Sequence, residues 1–132
     1  MKILIAEDEP SLRENLQMML EMEGYEVQLA CDGQEAFELA LRAPPDLVLT
    51  DVMMPVLDGY GLIRLLRGHP ATAAVPIIVL TARAEQQDAE KVLALGAHAC
   101  LVKPYRRREL LEAVSLQAGP PDPPPGQVRC GG

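Results

Sequence analysis

Short apolar runs alternate five times with helix-like patterns before the chain reaches residue 118, and this alternation admits few folds. The apolar runs that predict strands lie at residues 2–6, 25–29, 47–49, 76–80 and 100–102. The helical patterns lie between Ser11 and Gly24 and at residues 34–42, 61–67, 85–95 and 106–117. Repeats of this kind favour parallel strands in one sheet with helices on both faces. We therefore predict an α/β fold: a flavodoxin-like doubly wound parallel sheet of five strands in the order 2-1-3-4-5, with five helices.

The first helix carries the clearest start and stop signals. Ser11 followed by Glu14 has the spacing of a capping box, in which each side chain bonds the backbone near the other residue. Leu16 and Leu20 then lie four residues apart on one helical face. Gly24 has the character of a helix terminator. The pattern predicts a helix capped by Ser11 that ends at Gly24.

The net charge of the chain limits the kinds of molecule that it is expected to bind. The chain has 12 basic and 19 acidic residues, a formal net charge of −7. This balance argues against direct binding of a nucleic-acid backbone, which needs a basic face. The chain has no apolar run long enough to span a membrane, and its N-terminus turns acidic too early for a secretory signal. Its 3 cysteines form no C-x-x-C pair, so we expect a reducing, cytoplasmic location.

The composition changes near Ala118. Residues 118–132 are rich in proline and glycine, which form neither helix nor sheet hydrogen bonds readily. We expect a domain at 1–117 and a linker or disordered tail at 118–132. A proline-rich ligand for a partner domain is the alternative for this tail.

Chemically distinctive side chains follow four of the predicted strands. Glu7 and Asp8 end the first strand, Asp51 the third, Thr81 the fourth and Lys103 the fifth. Because ligands of doubly wound sheets lie beyond the carboxyl ends of the strands, we expect these residues to share one pocket. Three carboxylates together need a compensating cation, and Mg²⁺ prefers oxygen ligands. A solvated acidic loop explains Glu7 and Asp8 alone, but not the other three residues.

This set of groups suits phosphoryl transfer. A transferred phosphoryl group spreads negative charge over three oxygens, so its catalysis is mainly positioning and neutralisation. Mg²⁺, the Lys103 ammonium and the Thr81 hydroxyl can each meet one oxygen. Asp51 would be the nucleophile and would form an aspartyl-phosphate.

The chain resembles the receiver domain of bacterial two-component response regulators over residues 1 to about 117. The resemblance depends on the order and spacing of four motifs, which are Glu7-Asp8, Asp51 within LTDVMMPVLDG, Thr81-Ala82, and Lys103-Pro104 within GAHACLVKPY. It implies that Asp51 is the phosphoacceptor. It also implies that Asp8, Asp51 and the Met53 carbonyl bind Mg²⁺, that Glu7 assists through water, and that Thr81 and Lys103 engage the phosphoryl group.

The resemblance also implies partners. The phosphoryl donor would be a sensor histidine kinase or a histidine phosphotransfer protein, and phosphorylation would switch the surface of the last two helices. The resemblance is also consistent with an effector domain or a downstream protein as a further partner, and with a homodimer that forms on phosphorylation. Such a protein is a phosphoacceptor switch that assists its own phosphorylation and dephosphorylation, not an enzyme. A phosphate-independent interaction module of the same fold is the alternative, but it predicts a broken acid or lysine set.

Some positions depart from the family pattern or extend it. Cys100 stands three residues before Lys103, where the family has Tyr or Phe, so the family's aromatic switch cannot be carried over. Tyr105 is expected to pack at the sheet edge. The resemblance implies a cis Lys103-Pro104 bond, and it places Met53 and Arg83 beside the opening of the pocket.

Overall fold

The computed structural model describes residues 1–81 and 86–119, in which strands and helices alternate. The strands are β1 (Lys2–Ala6), β2 (Glu26–Ala30), β3 (Leu47–Asp51), β4 (Ile77–Thr81) and β5 (Ala99–Val102). The helices are α1 (Pro10–Met22), α2 (Gly33–Arg42), α3 (Gly59–Gly68), α4 (Gln86–Leu95) and α5 (Arg107–Ala118).

The five strands form one parallel sheet in the order β2-β1-β3-β4-β5. This confirms the predicted flavodoxin-like doubly wound fold. Strand β3 continues two residues beyond the predicted end, because Thr50 and Asp51 pair with Val79 and Leu80 of β4. Asp51 is therefore the last residue of a central strand, held by neighbours on a rigid backbone.

Alternate residues of β1 point to opposite faces of the sheet and divide the core in two. Ile3 and Ile5 join a cluster with residues of α1 and α5, whereas Leu4 and Ala6 join one with residues of α2 and α3. All four of these β1 side chains are at most 1% exposed. A strand that is buried on both faces must be apolar along its whole length, which is why the central strands read as continuous apolar runs.

The predicted capping box at the start of α1 is wrong. The helix begins at Pro10, and Glu9 is the capping residue. The Glu9 carboxylate accepts hydrogen bonds from the backbone N–H groups of Ser11, at 3.1 Å, and Leu12, at 2.8 Å. Proline at the first helical position loses no hydrogen bond there, and its fixed φ suits the helix, so Pro10 moves the start upstream. These bonds lower the pKa of Glu9, Leu12 being the larger cause.

The chain leaves α1 and α5 through glycines in the left-handed region. Gly24, with φ of 95°, ends the turn after α1, as predicted, and Gly119, with φ of 85°, follows α5. The Tyr25 hydroxyl donates a hydrogen bond to the Gly119 carbonyl at 3.0 Å. Residues 120–132 of the expected linker or tail lie outside the described ranges, so the division between 117 and 118 stays a prediction. None of the helices within those ranges has the length and apolar character needed to cross a membrane.

Candidate functional site

The register of the sheet brings the predicted site residues to one edge. Ala6 of β1 pairs with Thr50 of β3, so Glu7 comes level with Asp51. Thr81 of β4 pairs with Val102 of β5, and Lys103 follows immediately. The Lys103 backbone N–H donates to the Thr81 carbonyl at 2.7 Å, which extends the pairing past the last residue of β5. Glu7, Asp51, Thr81 and Lys103 therefore lie along the edge of the sheet at which β1, β3, β4 and β5 end.

The Lys103 ammonium lies between two carboxylates. Its Nζ is 2.9 Å from Asp51 Oδ2 and 3.6 Å from Glu7 Oε1. The other Asp51 oxygen, Oδ1, accepts a hydrogen bond from the Met53 backbone N–H at 3.2 Å. Burial lowers the pKa of Lys103, but its hydrogen bond and charge contact with Asp51 outweigh that effect and raise it. The lysine is thus a permanent cation at the sheet edge, and the peptide bond to Pro104 that follows it is cis.

Glu7 is the buried acid of the site. Its side chain is only 3% exposed, and no described residue donates a hydrogen bond to its Oε2. Burial, followed by the negative charge of Asp51, raises the pKa of Glu7 to about 7, against the opposing effect of Lys103. A buried carboxylate with a free oxygen beside a second carboxylate favours a cation or a proton as its partner.

Asp8 and Met53, the other two predicted metal ligands, are both exposed, and Met53 is 62% exposed. In the described ranges, no three carboxylate, thiol or imidazole groups converge closely enough to hold a metal ion. The structure brings Glu7 and Asp51 together around Lys103, and the negative charge of Asp8 makes the last and smallest contribution to the raised pKa of Glu7. Mg²⁺ keeps several waters and needs only two or three protein oxygens, so this donor set is chemically compatible with it.

The loop from β3 to α3 packs closely against the end of β3. Gly59 donates its N–H to the Val52 carbonyl at 2.8 Å. A Cβ at Gly59 would lie 2.5 Å from the Asp51 carbonyl oxygen, closer than real Cβ atoms approach. Val56, at the exposed tip of the loop, has a φ of 68°, an unfavourable value for a β-branched residue. The sequence motif VMMPVLDG thus folds into a tight loop that presents Asp51.

Three further positions that the sequence singles out, Thr81, Cys100 and Tyr105, are buried or partly buried. Thr81 is 2% exposed. Cys100 is half-buried and packs with the cluster beneath α2 and α3, whereas Tyr105 packs with the cluster beneath α1 and α5. Tyr105 thus packs at the sheet edge, as expected, and burial is the main reason that its pKa is raised. Arg83 lies outside the described residues.

Sequence reasoning missed Arg13. Its Nη1 donates to the Glu7 carbonyl at 3.0 Å and lies 3.5 Å from the Asp8 carbonyl. An arginine one turn into a helix resembles any solvated surface arginine in a sequence, and only the wrapped loop between β1 and α1 brings it to these carbonyls.

The sequence model of the response regulator receiver domain family matches residues 3–115 of the chain. The chain belongs to this family. A relative named as a probable transcriptional regulator, ycf27 of Cyanophora paradoxa, is 46% identical over 109 residues, which are 83% of this chain and 44% of the relative. The phosphate regulon transcriptional regulatory protein PhoB of Rhizobium meliloti is 39% identical, over 98% of this chain and 58% of the relative. The receiver therefore spans about half the length of these curated relatives.

Solved structures agree with this membership. The receiver domain of the sensor histidine kinase PA1611 of Pseudomonas aeruginosa, described with a magnesium ion coordinated in its active site cleft, has a TM-score of 0.83 and 40% identity. The match covers 89% of this chain and 97% of that domain. The resemblance inferred from the four motifs is thereby confirmed: this chain is a response regulator receiver, a signalling switch rather than a classical enzyme.

Proposed function

We propose that Asp51 accepts a phosphoryl group from a phosphohistidine of a sensor kinase or a histidine phosphotransfer protein. An Asp51 carboxylate oxygen attacks phosphorus, the P–N bond to the donor imidazole breaks, and the imidazole nitrogen leaves with the electron pair of that bond. The observation that carries this proposal is the 2.9 Å contact between Lys103 Nζ and Asp51 Oδ2 at the strand ends of a receiver fold. A carboxylate with a dedicated ammonium beside it is suited to take on further negative charge.

Lys103 and Thr81 act on the arriving group. The Lys103 ammonium balances charge on one phosphoryl oxygen, and its backbone bond to Thr81 fixes the position from which its side chain extends. The Thr81 hydroxyl donates a hydrogen bond to a second oxygen. Glu7 is too deeply buried to reach a large donor, so its part is electrostatic. These contributions are positioning and neutralisation, which dominate phosphoryl transfer.

The donor set fits Mg²⁺. Asp8, Asp51 and the Met53 carbonyl would bind it directly, and Glu7 would help through water. The buried Glu7 Oε2, to which no described residue donates, and the all-oxygen character of this set support the assignment. When bound, Mg²⁺ supplies neutralisation of phosphoryl charge.

Phosphorylation would then alter the surface formed by α4 and α5. Curated relatives are about twice as long and are named as transcriptional regulators, so an effector domain or downstream protein is the proposed recipient of the signal, and a homodimer is a further outcome. We place this exchange in the cytoplasm, as the cysteine usage favours.

The test is labelling of purified protein with Mg²⁺ and a small acyl-phosphate donor, followed by intact mass measurement. We expect one added phosphoryl group that is stable in acid and lost in base, and we expect Asp51→Asn to abolish it. Asp46→Asn is the matched control, because Asp46 is exposed and bonds the Lys2 N–H at the opposite end of β3. Undiminished labelling of Asp51→Asn would remove Asp51 from this role, and an unlabelled wild-type protein would favour the phosphate-independent module.

A further inference from the structure

We propose that Arg13 is a positioning residue that sets the Mg²⁺ affinity of the site by holding the backbone of Glu7 and Asp8. This inference rests on the proposed function and adds a residue to it. Arg13 lies in the second turn of α1, and a single guanidinium nitrogen, Nη1, lies 3.0 Å from the Glu7 carbonyl and 3.5 Å from the Asp8 carbonyl.

The need for such a residue follows from the geometry of a strand. Successive side chains of an extended chain point to opposite faces, so Glu7 and Asp8 can serve one site only if the backbone turns between them. The Glu7 N–H still pairs with the Ala30 carbonyl of β2 at 3.1 Å, so the turn begins at the Glu7 carbonyl. That is the group that Arg13 holds. The guanidinium thus fixes the first peptide that leaves the sheet.

The other end of this loop is fixed from the same helix. The Arg13 N–H donates to the Glu9 carbonyl at 3.0 Å, and the Glu9 carboxylate caps α1. Arg13 therefore contacts the backbone of all three acidic residues between β1 and α1. A planar guanidinium with several donors can bridge two carbonyls, whereas a lysine ammonium offers a point charge on a flexible stem.

The charge of Arg13 has the opposite effect on cation binding. A positive side chain near a Mg²⁺ site repels the ion, although solvent weakens that repulsion for a partly exposed group. If Arg13 acted mainly through its charge, its removal would tighten Mg²⁺ binding. If it orients the ligands, its removal weakens binding. The two roles therefore differ in sign.

The experiment titrates MgCl₂ alone into the full chain and follows backbone amide NMR shifts. We expect Arg13→Met to weaken Mg²⁺ affinity about tenfold, the usual scale for losing a group that orients a metal ligand, and Arg13→Lys to recover part of the loss. Arg64→Met, at an exposed arginine of α3, is the matched control and should bind as the wild type does. Labelling of Arg13→Met with the acyl phosphate should need more Mg²⁺ for half-maximal rate but reach the wild-type rate at saturation.

Unchanged or tighter Mg²⁺ binding by Arg13→Met would overturn the inference, and so would a reduced labelling rate that saturating Mg²⁺ does not restore. Urea unfolding in EDTA shows whether the variant is folded. If Arg13→Met does not fold, Arg13→Lys carries the test, since it keeps the charge but loses the bridging geometry. A wild-type protein that bound no Mg²⁺ would refute the proposed function together with this inference, whereas equal affinities in wild type and variant would refute the inference alone.

Discussion

Replacing Glu7 with glutamine should make the receiver more stable at neutral and alkaline pH and leave it nearly unchanged only below about pH 4.5. Glu7 is buried beside Asp51, and its pKa is raised from 4.5 to about 7, chiefly by burial. The folded protein therefore holds the Glu7 proton more tightly than the unfolded chain does. Glutamine has nearly the shape of the protonated acid and never ionises.

The sign and size follow from proton linkage. The stabilisation from a raised carboxyl pKa is fully present below the unfolded value of 4.5 and is lost as pH rises through about 7. The full loss is about 3 kcal/mol, and about 2 kcal/mol of it falls between pH 5.5 and pH 8. We expect Glu7→Gln to escape this loss, so its free energy of unfolding should rise relative to wild type by about 2 kcal/mol across that interval.

The assay is urea unfolding in EDTA at several pH values, with the wild-type value subtracted at each. Subtraction removes the titration of groups that both proteins share. Glu14→Gln is the matched control, an exposed acid on α1 whose difference from wild type should stay flat. Adding Mg²⁺ at about pH 8 should stabilise wild type more than Glu7→Gln, because a cation near Asp51 compensates the ionised glutamate.

A flat difference between Glu7→Gln and wild type would refute this reasoning. It would mean that Lys103, whose Nζ is 3.6 Å from Glu7 Oε1, already balances the Glu7 charge. A difference that falls as pH rises would show that the ionised carboxylate is favoured in the folded state, the reverse of the proposed electrostatics.

Two further predictions concern the scaffold. Val56→Gly should stabilise the protein by about 1 kcal/mol, because it relieves a β-branched residue at a φ of 68°; urea unfolding of Val56→Gly and Val56→Ala measures it, and an equal gain from alanine, which keeps a Cβ, would contradict the argument. Arg67→Met should cost about 3 kcal/mol, because Arg67 donates to the carbonyls of Gly96, at 2.8 Å, and Val75, at 2.7 Å. In the same assay Arg64→Met should change stability by under about 0.5 kcal/mol, and an equally small effect at Arg67 would refute the bracing role.

The sheet could be predicted from the sequence because the apolar composition of its central strands indicates that they are buried. The run Ile77–Leu80 is apolar throughout, and all four of its residues are at most 2% exposed. The start of α1 could not be predicted in the same way. Serine is the commoner capping residue, but Pro10 fixes the first helical turn and the longer Glu9 side chain reaches the two free N–H groups. The general preference for certain capping residues does not decide where a helix begins when two candidate capping residues lie only two positions apart.

The sequence could predict part of the candidate site, but not its internal arrangement. The rule that parallel strands present their carboxyl ends at one edge places Glu7, Asp51 and Lys103 together. It does not say which carboxylate is buried, and here Glu7 is 3% exposed and Asp51 16% exposed in their side chains. It also gives no hint of Arg13, whose contact depends on the path of a loop. Side-chain partners across loops require coordinates.

The charges at the site connect the two parts of the proposed function, which are phosphorylation of Asp51 and binding of a divalent cation. With both acids ionised, Glu7 and Asp51 carry two negative charges against the single charge of Lys103. A phosphoryl group on Asp51 would replace one of those charges by about two. The backbone N–H of Lys103 is held by its hydrogen bond to the Thr81 carbonyl, but the long side chain lets the ammonium move with the charge added at Asp51. An ammonium that moves towards the phosphate moves away from Glu7, whose Oε1 lies 3.6 Å from Nζ. One lysine cannot neutralise both the phosphate and the Glu7 carboxylate. Without a divalent cation, the charge of Glu7 is therefore the first to be left uncompensated.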